Sequence, residues 1–167
     1  MLLATRRKTH RLTLLALLTS TGLILYVVEA MLPPLFPIPG AKLGLANIVT
    51  LIALTKFRPR DALLVLLSRI ILAGFFGGQL VSLMLSLAGG LTCFVVCLVA
   101  LRIFRPKLPA LSVIGAISHN IGQLAMASLI LSVPAIFTYL PFLLLTAIPA
   151  GLLTAYAAGF IIKRVGF

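Results

Sequence analysis

Acidic side chains are almost missing: among 167 residues only Glu29 and Asp61 carry a carboxylate, against fourteen Lys and Arg, for a net charge of +12. Two isolated acids cannot make a general acid/base pair. Nor is there an Asp-rich run of the kind that holds a metal diphosphate. Cysteine is as sparse, with Cys93 and Cys97 inside one apolar stretch and no neighbouring His to complete a metal site. They read as small packing residues. The chain has no phosphate-cradling glycine loop with its Lys and no sensibly placed Ser/His/Asp set. These absences exclude a self-contained catalytic centre and any recognisable ATP site. No cofactor or metal is expected, and what remains is binding or transport.

What the chain does have is apolar length, with 62% hydrophobic residues interrupted by four basic clusters. These are Arg6, Arg7, Lys8 and Arg11; Lys56, Arg58 and Arg60; Arg102, Arg105 and Lys107; and Lys163 with Arg164. Short Lys/Arg-rich loops stay on the cytoplasmic side of a membrane because their charges are costly to translocate. Four inside clusters, two of them at the termini, therefore predict an all-α polytopic membrane protein of six transmembrane helices with both termini cytoplasmic. In a soluble chain this charge would suggest nucleic acid; here it edges apolar segments and reads as topology and anionic lipid contact, so nucleic acid is excluded as a partner. The apolar run 12–28 is longer than the ~7–15 residues of a signal-peptide core and reads as a retained first helix. The expected organisation is a basic cytoplasmic N-terminus (1–11), one transmembrane domain (12–162) and a short cytoplasmic tail (163–167).

Helix 1 is expected over 12–32, stopped by Pro33 and Pro34. The loop 33–42 then lies outside. Helix 2, over 43–57, is too short at ~1.5 Å per residue to cross a ~30 Å core, so its start should be submerged. Helix 3 begins at Asp61, a good N-cap type, and runs to Gly74 or beyond. The stretch 80–104 carries Gly89-Gly90 near its middle, which predicts a short broken or re-entrant segment (80–88) before helix 4 (91–104). Helix 5 is expected over 108–131 and helix 6 over 141–162. Helix 6 spaces Ala147, Gly151, Ala155 and Gly159 at four-residue intervals, a stripe that lets another backbone come close.

Several polar residues sit where lipid or protein should surround them. Arg69 falls near mid-membrane, where a lone guanidinium costs at least ~2.5–3.5 kcal/mol. A structural Glu29–Arg69 bridge and an anionic or polar ligand are both open as its partner. Helix 5 carries His119, Asn120 and Gln123, with Gly115, His119, Gly122, Gln123 and Met126 at i, i+3, i+4, i+7 spacing. Buried amides and imidazole need partners, and with glycines among them they make a candidate ligand-lining face. Asn47 near the start of helix 2, the positive end of that helix, and Lys42 add to an acceptor-seeking outer half. Gly40 and Gly44 let backbone approach a ligand there. The expected pocket is Glu29, Lys42, Gly44, Asn47, Arg69, Gln79, His119, Asn120 and Gln123.

At PIPGAKLGLANIVTLIAL (37–54), SRIILAGFFGG (68–78) and SHNIGQL (118–124) the chain resembles a small bacterial membrane family labelled "heptaprenyl diphosphate synthase component I" or "Gx transporter". That family looks similar to the substrate-binding S components of energy-coupling-factor transporters. The resemblance implies a bacterial inner-membrane protein of six helices. Its ligand pocket would be capped by the loop after helix 1, and it would dock on a transmembrane coupling subunit driven by ATPases. S components dock through small residues on helix 1, for which Ala16 and Ser20 are the nearest match. Three readings follow. The first is a substrate-binding subunit for uptake of a small molecule, a vitamin or precursor. The second is a non-catalytic membrane companion of a soluble prenyl diphosphate synthase, and the third a small transporter dimerised through the helix 6 stripe.

Overall fold

The computed structural model describes residues 2–32, 44–77 and 80–165. All the described regular structure is helical: α1 (Leu2–Met31), α2 (Asn47–Lys56), α3 (Pro59–Gly77), α4 (Leu80–Ile103), α5 (Leu108–Leu131), a 3-10 turn (Pro134–Tyr139) and α6 (Leu140–Val165). Four segments are individually long and apolar enough to cross a bilayer: 9–31, α4, α5 and the 3-10 turn with α6. α2, with 10 residues, spans only ~15 Å. α3 has the length but carries Arg60, Asp61 and Arg69. Among the described residues six α-helices thus form, and four segments meet the requirements of a span.

Several boundaries differ from expectation: α1 begins at Leu2 and not at 12, so the basic N-terminal stretch is helical too, α2 covers 47–56 and not 43–57, and α6 runs over 140–165 and not 141–162. α3 begins two residues early, at Pro59, whose missing N–H costs nothing in a first turn. Asp61 is therefore not a cap; it lies in that turn, 3% exposed, and accepts a hydrogen bond from Arg11 of α1. α4 is one continuous helix through Gly89-Gly90, which corrects the broken segment expected there. Both glycines are buried contact points. A Cβ at Gly89 would fall 2.6 Å from Gln123 Cγ and 2.9 Å from the His119 carbonyl oxygen, and one at Gly90 2.9 Å from Ile70 Cδ1. Their small size admits α5 on one side and α3 on the other. α4 ends where Arg105 takes a left-handed conformation (φ 46°) and returns its N–H to Ala100, ahead of Pro106.

The contacts fix the relative directions. α4 and α5 run antiparallel, with Gly89 against His119 and Gly115 against Cys97; α6 runs antiparallel to α5, with Gly151 on Val113 and Gly159 near Leu108. α1 runs parallel to α3, pairing Arg11 with Asp61 and Gly22 with Arg69. The α2–α3 turn, the α4–α5 turn and the end of α6 therefore meet at the end of the bundle where α1 begins. A core of Leu18, Ile48, Val49, Ile52, Val65, Leu66, Ile70, Phe94 and Leu111 fills the interior. Leu17, Ile24, Phe75, Phe76, Leu129, Leu145 and Tyr156 stay exposed, an apolar surface that lipid, not water, suits.

The helix 6 stripe is used inside the chain. Ala147, Gly151 and Ala155 are buried, and a Cβ on Gly151 would fall 2.8 Å from Val113 Cα. The face read as a possible dimer contact is thus covered by α5.

At the other end of α1, the Arg11–Asp61 pair tethers it to α3. Asp61→Asn keeps the volume but surrenders the charge, and is expected to lower the melting temperature of the purified protein, by an amount that solvent around Arg11 keeps small. Unchanged melting would show the pair to be incidental.

Candidate functional site

The start of α2 has no cap of its own. Ala46 stands at the N-cap position and cannot accept a hydrogen bond through its side chain. The chain enters through Gly44, whose φ of +73° is a left-handed conformation that glycine adopts without strain. Asn47 N–H then donates to the Gly44 carbonyl at 2.8 Å and Ile48 N–H to that of Leu45 at 3.1 Å. The amides of Gly44 and Leu45 remain, and both donate to Glu29 of α1, at 2.6 Å to Oε1 and 3.0 Å to Oε2. One carboxylate from another helix caps α2 and sits at the positive end of its dipole.

Arg69 lies behind this cap, 5% exposed. Its stem crosses α1 at Gly22, where a Cβ would be 2.7 Å from Arg69 Cδ. Nη2 donates to Asn47 Oδ1 at 3.5 Å, a long bond, and Nε is sealed from solvent with no acceptor. Glu29, Tyr26 and Cys93 lie within electrostatic reach of the guanidinium. No direct Glu29–Arg69 salt bridge forms: among the described residues the ion pair is Arg11–Asp61. Of the two partners left open for Arg69, the acid therefore acts only at a distance. Glu29, Gly44, Asn47 and Arg69 thus come together between α1, α2 and α3.

The helix 5 residues pack on α4 and α6. His119 and Gln123 pack over Gly89 of α4, and Asn120 Nδ2 donates to the Leu143 carbonyl of α6 at 3.0 Å. Asn120 accordingly pins α6 to α5. Cys93 of α4, which packs against Gly115 of α5, also lies within electrostatic reach of Arg69. Lys42 and Gln79 lie outside the described residues. Ala16 and Ser20 are exposed on α1. Cys93 and Cys97 pack against Gly115, and Cys97 Sγ approaches the Leu111 carbonyl at 3.6 Å.

Two participants escaped the sequence reading. Gly22 lies seven residues before Glu29, two turns on the same helical face, so spacing alone could have found it. The Leu45 amide could not be found that way, since backbone leaves no mark on residue type. Outside the bundle's core, Arg58, Arg60, Arg102, Arg105, Lys107, Lys163 and Arg164 are all exposed where the turns and the end of α6 gather.

No curated protein and no solved structure matches the chain. The likeness to transporter S components gains no support from these comparisons. A family model does match, that of heptaprenyl diphosphate synthase component I, over residues 18–161. That span holds the capped start of α2, Arg69 and the α4–α5–α6 seam, nearly everything the fold is built on. This chain belongs to the heptaprenyl diphosphate synthase component I family.

Proposed function

We propose that the protein is the non-catalytic membrane subunit of a polyprenyl diphosphate synthase, holding a soluble catalytic partner at the cytoplasmic face of a bacterial inner membrane. The observation that carries this reading is the fate of the two acids. Prenyl transfer needs paired carboxylates to hold a metal-bound diphosphate. Here Glu29 caps α2 and Asp61 is bound by Arg11, so neither is available and the chemistry must come from another chain. The family name supplies the kind of partner.

The architecture suits the task. Each CH2 that a growing prenyl tail moves from water into an apolar phase gains about 0.8 kcal/mol, so a synthase beside apolar helices can release its product directly into lipid. The exposed basic end faces the cytoplasm in the six-crossing arrangement and complements an acidic partner surface.

Affinity purification from native membranes tests this. The expected companion is a soluble, Asp-rich prenyl synthase. Its recovery should fall with salt and drop by about tenfold or more when Arg102, Arg105 and Lys107 are all changed to Glu. Recovery of ATPases with a membrane coupling subunit would overturn the proposal in favour of transport.

A further inference from the structure

We infer that the space bounded by Arg69, Asn47 and the start of α2 is a binding site for a phosphate oxyanion, in which the Glu29 carboxylate stands as an intramolecular occupant. Two independent observations meet here. The first is the turn that leads into the ten-residue α2, whose Gly44 and Leu45 amides already hold an anionic group, Glu29, at 2.6 and 3.0 Å. The second is a guanidinium 5% exposed, with Nε unpartnered and Nη2 held only by the long bond to Asn47.

A guanidinium carries five N–H donors in a planar fork, and Asn47 answers one of them. The Glu29 carboxylate has two oxygens and spends both on backbone amides. A phosphate head offers more oxygens than a carboxylate. It can receive the Arg69 fork and reach the amides of Gly44 and Leu45 as Glu29 withdraws. Positive potential persists with Glu29 in place, since Arg69 and the helix end together exceed one carboxylate. Glu29 then sets the affinity: it keeps the helix start capped when the site is empty and competes with whatever enters. The same chemistry admits a free phosphate or the head of a tailed lipid, for which Ile24, Val27 and Val28 offer exposed apolar surface along α1. None of this depends on a synthase partner.

The full chain in nanodiscs of zwitterionic lipid is titrated with inorganic diphosphate and, separately, with dodecyl phosphate, by calorimetry and thermal shift. Saturable binding is expected. Arg69→Met should weaken it at least ~10-fold, and Glu29→Gln, which retains one acceptor for the helix start, should tighten it several-fold. A dodecyl phosphate that binds ~10-fold tighter than diphosphate assigns the site to a lipid head; the reverse order assigns it to a free anion. Should Glu29→Gln fail to fold, Asn47→Asp places a second carboxylate beside Arg69 and should abolish binding. Absence of binding to the wild-type protein, or binding that survives Arg69→Met or Asn47→Asp unchanged, overturns the inference. A synthase that co-purifies while neither probe binds would sink this site and leave the partnership standing.

Discussion

Glu29→Ala is expected to destabilise the protein by about 3–5 kcal/mol, enough to leave much of it unfolded at its working temperature. Two effects add. The amides of Gly44 and Leu45 lose the carboxylate that caps α2, and charge-assisted bonds of this kind contribute about 1.5–3 kcal/mol each. Arg69 also loses its nearest acid while remaining buried. Arg69→Met, by contrast, removes the buried cation and leaves Glu29 fully bonded to the helix start, so it should melt at or near the wild-type temperature. Melts of the two variants in the same detergent check the pair. Equal losses would mean that Glu29 and Arg69 act as one ion pair, which the observed geometry denies.

Gly151→Leu should cost about 3 kcal/mol or more, because nothing around it can yield. The atoms nearest a Cβ at this position are backbone: Val113 Cα at 2.8 Å, Val113 N at 3.1 Å and the Ser112 carbonyl oxygen at 3.2 Å. Opening that contact drives α6 off α5 and strains the Asn120 bond to Leu143. Gly159→Ala is the matched control on the same stripe. Its nearest neighbour would be Leu108 Cδ2 at 3.5 Å, an ordinary contact, and melting should hardly change. If Gly151→Leu instead altered only oligomeric state and left the melting temperature alone, the stripe would be an outer interface after all.

The α4 glycines show where local rules mislead in a membrane bundle. Gly89-Gly90 in the middle of an apolar run reads as a break, because glycine lowers helix propensity by about 1 kcal/mol. In lipid that penalty is small beside the cost of unpaired backbone, so the helix continues and the missing side chains become room for α3 and α5. A pair of glycines looks the same on paper whether it breaks a helix or seats one. Which it does depends on what lies opposite, and Ile70, His119 and Gln123 come from other parts of the chain.

From the sequence by itself came the class of the protein, its basic end, the bounds of α5 and the identity of the polar residues that needed explaining. These follow from composition and period, since lipid demands long apolar helices and charge marks their ends. That helix 2 is too short to cross a bilayer alone was legible too, though α2 starts at Asn47, four residues later than the sequence suggested. Tertiary structure alone decided what each polar group does. It gave Glu29 to the amides of Gly44 and Leu45 and not to Arg69, sent Asn120 to α6, and set His119 and Gln123 against Gly89 of α4. The physical reason is that a buried polar side chain bonds to whichever donor or acceptor the packing brings near. Most such partners are backbone atoms, which residue type does not reveal.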